Sequence, residues 1–147
     1  MNIVIGSDHG GKKLKDSIVE HLKNKSLNVN DIGPYTIDSV DFPSYAVEVG
    51  NRVAGNDADL GILCCGTGIG MSIAANKING IRASVVSDCF SAEATRKHNN
   101  SNVLCLGERV VGESLALKIV DTWISTEFEG GRHGRRIEQI SKIENDL

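Results

Sequence analysis

The sequence predicts an α/β protein: a three-layer α/β/α sandwich around a five-stranded parallel sheet, with one extra helix at its C-terminus. Two observations carry this. Short β-rich runs alternate with amphipathic stretches along the chain, and strict alternation of that kind implies a parallel sheet covered by helices on both sides. The third run, Leu60–Cys65, is almost continuously apolar, as expected of a strand buried on both faces.

The elements follow in order. Residues 2–6 read as the first strand. Residues 11–25 carry Leu14, Ile18, Val19 and Leu22 at three- and four-residue spacing, the stripe of an amphipathic helix. Residues 27–32 make a short second strand, closed by Gly33-Pro34. A loop runs through Asp41-Phe42-Pro43, and residues 44–54 continue as a helix with Ala46, Val49 and Val53 inside. After the apolar third strand, residues 69–77 form a helix rich in small residues. Residues 82–87 are the fourth strand, 91–98 the next helix and 103–106 the fifth strand. Residues 113–128 form a strong helix with Leu117, Ile119, Val120, Trp123 and Ile124 apolar, and 135–144 repeat isoleucine at 137, 140 and 143. No linker, internal repeat or low-complexity tract interrupts the pattern. One Rossmann-like domain over residues 1–147 is expected.

Composition narrows the function. A chain of 147 residues buries roughly 70% of its unfolded surface and folds without a disulfide or metal. A net charge of -3 and 4% aromatic content argue against nucleic acid and anionic membrane as partners. No apolar run approaches the roughly 20 residues that cross a bilayer, and the first residues read as a strand rather than a signal peptide. A cytoplasmic protein with Cys64, Cys65, Cys89 and Cys105 as reduced thiols is expected. The cysteines contain no C-x-x-C, so neither a zinc knuckle nor a thioredoxin-like pair is expected.

In open sheets of this kind, ligands bind beyond the carboxyl ends of the strands, where the strand order reverses. The default flavodoxin-like order 2-1-3-4-5 puts that crevice between the first and third strands. It brings Ser7-Asp8-His9-Gly10-Gly11 beside Cys65-Gly66-Thr67-Gly68-Ile69-Gly70. The second loop is not a Walker loop, since no Lys-Ser or Lys-Thr follows. Nor is it a dinucleotide fingerprint: Gly66 and Gly68 fit, but position 71 is methionine and the third glycine comes one residue early, at Gly70. What remains is a nest of backbone N–H groups that can converge on an anion, with the positive end of a helix starting near Ile69 behind it. A tight turn without a ligand is the plainer alternative.

Cys65 ends a strand beside this loop, and a helix N-terminus favours the thiolate of a neighbouring cysteine. Cys64 points to the opposite face. Most cysteines on buried strands are small core residues, so both roles stay open at this stage. Asp8 and His9 read either as a helix cap with a bystander or as ligand contacts. His98 and Asn99 lie at the end of a helix, where a histidine also suits the dipole. Arg109 follows the fifth strand. Arg132, His133, Arg135 and Arg136 form a basic cluster, with Arg132 and Arg136 on one face if the last helix begins that early. That cluster is either a solvated charge run or a phosphate clamp. The combined inventory suits proton transfer on a small sugar phosphate.

Four segments in order, "GSDHGG", "CGTGIGMSIAANK", "RKHNNSNVLCLGERVVG" and "EGGRHGRRIEQI", resemble the type B ribose-5-phosphate isomerases of the ribose/galactose isomerase superfamily, over essentially the whole chain. The resemblance implies a sheet of order 2-1-3-5-4. It also implies metal-independent and cofactor-free catalysis in the pentose phosphate pathway, and homodimers or homotetramers whose active sites are shared between two chains. It makes Cys65 the base that moves a proton between C2 and C1 of open-chain ribose 5-phosphate, through a cis-enediolate. The N–H groups of Gly66, Gly68, Ile69 and Gly70 hold the oxyanion. His98, from the partner chain, assists opening of the furanose ring with Thr67 nearby. Asp8 and His9 bind and orient the sugar, and Asn99 adds a hydrogen bond. Arg109, Arg132 and Arg136, with His133 near them, hold the phosphate. Members without the cysteine use a glutamate at the position of Met71, so this chain falls in the cysteine branch. Allose 6-phosphate or galactose 6-phosphate as substrate, a non-catalytic sugar-phosphate binder, and a thiol-redox protein are the alternatives.

Overall fold

The computed structural model describes residues 1–146. Strand β1 (Asn2–Ser7) leads through a single 3-10 turn (His9–Gly11) into α1 (Lys12–Asn24). Then come β2 (Asn28–Asp31), α2 (Phe42–Ala54), β3 (Leu60–Cys65), α3 (Ile69–Ala75), β4 (Ala83–Val85), α4 (Cys89–Asn99), β5 (Val103–Gly107), α5 (Glu113–Ser125) and α6 (Arg132–Asn145). All pairings are parallel, and the order is β2-β1-β3-β5-β4. The default order 2-1-3-4-5 is therefore overturned, while the order implied by the family resemblance holds. The reason is burial. Val103–Gly107 is buried throughout and takes an inner place, whereas the three residues of β4 are partly exposed and suit an edge.

Side chains alternate along each strand and fill two cores. Ile3, Ile5, Ile62, Cys64, Leu104 and Leu106 pack under α1, α4 and α5, with Trp123 at the centre of α5. Val4, Leu63, Cys65, Val103 and Cys105 pack under α2 and α3 with Val49, Met71 and Ala75. Each fully buried aliphatic side chain contributes about 2 kcal/mol relative to exposure, so the alternation itself fixes the register. The buried indole N–H of Trp123 donates to Ser101 Oγ at 2.8 Å, which satisfies the one polar group that this side chain brings inside.

The chain packs closest where backbone meets backbone. A β-carbon at Gly11 would overlap the Cys64 carbonyl group, so only glycine lets the turn before α1 lie on β3. The ladder pairs Ser7 with Cys64 and Cys65 with Gly107. The carboxyl ends of β1, β3 and β5 are thus level, and their following loops share one edge. The reversal that makes a crevice still falls between β1 and β3, because β2 and β5 lie on opposite sides of that pair. The largest boundary differences are in α5, which ends at Ser125 rather than at residue 128, and in α6. The latter begins at Arg132, three residues before the predicted start, and so carries the basic cluster on its first turns.

Candidate active site

Three loops meet at the carboxyl edge of the sheet. Asp8 N–H donates to Cys64 O, Glu108 N–H to Cys65 O, and Arg109 N–H to Gly66 O, at 3.2, 2.9 and 3.1 Å. A methyl group on Gly66 would lie 3.2 Å from Arg109 Nη1, and one on Gly10 3.8 Å from Nη2, so the guanidinium spans both glycine loops.

Cys65 is the centre of this group. Its side chain is buried on the α2–α3 side, with 6% of the residue exposed, and Sγ accepts a hydrogen bond from Gly68 N–H at 3.0 Å. The sulfur is thus held as an acceptor at the start of α3, the orientation a base needs. Gly68 makes this possible. Its φ of +79° lies in the left-handed region, where a residue with a β-carbon is strained. Cys64 faces the other core, and burial pushes its thiol up, so it stays protonated. Met71 is wholly buried in the α2–α3 core and offers no base.

Around Cys65 the polar groups are already oriented. Asp8 Oδ1 caps the 3-10 turn, accepting from Gly11 N–H at 3.1 Å; this capping role coexists with a place at the crevice. His9 Nδ1 accepts from Val40 N–H at 3.2 Å, which leaves Nε2 to carry the ring proton and donate. Thr67 is exposed, and its Oγ1 accepts from Ile69 N–H at 3.3 Å. A methyl group on Gly70 would touch the Phe42 ring at 2.9 Å, so α2 closes the loop from one side.

A second group stands at the opposite edge. Helix α4 starts after β4 and ends before β5, so it runs against the strands and delivers His98 and Asn99 to their amino ends. Arg82, which precedes β4, confirms the location by donating from Nε to Asn100 O at 2.8 Å. A strand of five residues puts roughly 16 Å between the two edges. At the amino edge, His98 stacks on His133 with ring centroids 4.4 Å apart and 21° between planes. His133 is buried, Arg132 and Arg136 flank it exposed on α6, and burial, followed by the neighbouring His98 and Arg132, holds its pKa below the usual histidine value. Among the described residues, no hydrogen bond, ion pair or ring contact joins this group to Cys65. The structure therefore brings together Asp8, His9, Cys65 to Gly70 and Arg109 on one side, and His98, Asn99, Arg132, His133 and Arg136 on the other. Arg109 stands with the thiol and apart from the other two arginines.

Four contributors escaped the sequence reading: Val40, which orients His9; Phe42, which backs Gly70; Glu108, whose Oε1 accepts from Leu14 N–H at 2.6 Å; and Glu129, beside His133. Val40, Phe42 and Glu108 act across long sequence separations with no local pattern. Glu129 precedes α6 and is separated from it by Gly130 and Gly131, both at positive φ, so no helical pattern exposes it.

The chain belongs to the ribose/galactose isomerase family, whose profile it matches over residues 3–140. Within that family it is similar to type B enzymes. It is 51% identical over 142 residues to ribose-5-phosphate isomerase B of Escherichia coli strain K12, covering 97% of this chain and 95% of that one. The solved structure of Clostridium thermocellum ribose-5-phosphate isomerase B superposes with a TM-score of 0.98 at 50% identity, covering 99% of both chains. The Mycoplasma genitalium ribose-5-phosphate isomerase B with bound ribulose-5-phosphate does so at 0.95 and 48% identity, covering 99% of this chain and 97% of that one.

Proposed function

We propose that residues 1–147 form one isomerase domain that interconverts ribose 5-phosphate and ribulose 5-phosphate by proton transfer through a cis-enediolate. The observation that carries this is Cys65 Sγ, held as an acceptor by Gly68 N–H at the mouth of the glycine loop. In the forward direction the sulfur takes the proton from C2, and negative charge gathers on the oxygen of C1. The N–H groups of Gly66, Gly68, Ile69 and Gly70 then stabilise that oxyanion. The sulfur returns the proton to C1, the proton of the C2 hydroxyl passes to the C1 oxygen, and the C2 oxygen becomes the carbonyl. Asp8 and His9 orient the sugar, His9 through its Nε2–H. Arg109 neutralises charge above the loop.

Ring opening and phosphate binding are assigned to the second group, with His98 moving the proton of the ring and Asn99 adding a hydrogen bond. Arg132 and Arg136, with His133 near them, hold the phosphate through guanidinium forks. The separation of the sheet edges supports a reading in which His98 and Cys65 serve one substrate across two chains, with a homodimer or a pair of dimers as the active unit. Ile69 and Ile73 of α3 and Phe90 of α4, 54%, 58% and 80% exposed, are apolar surface that such pairing would cover. The four cysteines are free, as in a cytoplasmic enzyme. Among the described residues, no helix is long and apolar enough to cross a membrane.

The test is a time course with ribose 5-phosphate and a chelator, followed by NMR in deuterated water. Ribulose 5-phosphate at enzymatic rates, with deuterium entering at C1, is the expected result. Absence of product there, with turnover of allose 6-phosphate or galactose 6-phosphate, would move the assignment to a hexose phosphate.

A further inference from the structure

His98, Glu129 and His133 each offer one ligand atom, and these three atoms lie within 4.8 Å of one another. Nε2 of His133 has no hydrogen-bond partner although its side chain is only 7% exposed. A carboxylate oxygen, Glu129 Oε2, lies 3.5 Å away, too long for a good hydrogen bond. A buried nitrogen left unpaired is costly and calls for an explanation. Here it faces a carboxylate and a second imidazole, both on exposed residues free to adjust.

Two imidazoles and one carboxylate match the donor set of a zinc-class ion, and three protein ligands leave a fourth position open. Ligand bonds of about 2.0–2.2 Å require the three atoms to draw in, which rotation of the exposed His98 and Glu129 side chains supplies. Arg132 and Arg136 oppose a cation, but both are exposed and their field is screened over about 8–10 Å, while Glu129 adds a compensating negative charge in direct contact.

We propose that His98, Glu129 and His133 form an inhibitory site for a zinc-class divalent ion, which withdraws the His98 imidazole from ring opening. The binding half of this inference stands on the cluster alone; the inhibitory half rests on the isomerase reading. Nothing in the proton transfer at Cys65 uses such an ion, so its effect is to slow the reaction rather than to support it.

The experiment titrates the full chain with Zn2+ by calorimetry and with Co2+ by visible absorption, alongside the ribose 5-phosphate assay. One Zn2+ per chain is expected, with Co2+ showing ligand-field bands of low coordination number. Glu129→Gln should weaken Zn2+ at least tenfold and raise the inhibitory concentration by the same factor. Cys65→Ala should bind Zn2+ as tightly as the parent chain. Loss of binding in Cys65→Ala with retention in Glu129→Gln would place the ion on the thiol and overturn the proposal, as would absence of any Zn2+ binding. Zn2+ bound at this cluster in a chain that does not turn over ribose 5-phosphate would sustain the site and overturn its inhibitory role, so the two readings fail separately.

Discussion

At the residue scale, adjacent cysteines have opposite duties. Cys65 meets the glycine loop, while Cys64 is sealed under α1 and α5. Cys65→Ala should lower kcat by roughly 10²–10⁴, the scale of a positioned base. Cys64→Ala should leave kcat intact and cost stability on the order of 1 kcal/mol through a small cavity; comparing kcat with melting temperature separates the two. Gly68→Ala should lower both. The left-handed φ costs about 1–2 kcal/mol for an L side chain, and the added carbon would press on the Leu106 backbone at 3.0 Å. Arg136→Ala should mainly raise KM, since a phosphate contact lies far from the proton being moved; a large kcat loss at constant KM would contradict that role. The division between the two cysteines was legible in advance because strands alternate. The bond from Val40 to His9 was not, since it depends on the path of a loop 31 residues away.

At the scale of elements, α1 is pinned to β2 by a buried amine. Lys15 Nζ contacts both oxygens of Asp31 at 2.9 and 2.7 Å and Asp16 at 2.9 Å. Burial alone would lower the Lys15 pKa, but its hydrogen bonds to Asp31 and Asp16 outweigh this and raise it. Burial likewise opposes the charged form of Asp16, yet Lys12 and Lys15 hold its carboxyl below the usual value. The linkage signs follow. The contribution of the amine is complete below its unfolded pKa of 10.5 and fades as pH rises through the higher folded value. The contribution of the carboxylate is complete above 3.8 and fades as pH falls through the lower folded value. The contribution of this ion cluster to melting temperature should therefore hold a plateau between these limits, and Lys15→Met should lower stability by about 3 kcal/mol at pH 7, because Asp31 then loses its buried partner. Helices and strands themselves were readable from their periods of 3.6 and 2. The order of β4 and β5 was also within reach, since the apolar Val103-Leu104-Cys105-Leu106 run suits an inner strand better than Ala83-Ser84-Val85. The start of α6 was hidden because Gly130 and Gly131, both at positive φ, look like a longer loop until the backbone is seen.

For the whole molecule, the sheet separates the thiol from the histidine that is proposed to help it. A mixture of Cys65→Ala and His98→Asn chains should recover activity that neither has alone. With random pairing, half the dimers are mixed and each has one intact site, giving about a quarter of the parent activity. No recovery after subunit exchange would mean that each chain works by itself. The chain has a single tryptophan, and Trp123 lies wholly inside the α1–α4–α5 core with Arg96 5.6 Å from its ring. The intrinsic fluorophore therefore sits on one side of the sheet only. Its emission should shift to the red when the α4–α5 seam opens, yet stay nearly silent to events confined to α2, α3 and the glycine loop. Fluorescence and circular dichroism would then part company during unfolding whenever the two halves of the sandwich come undone at different temperatures.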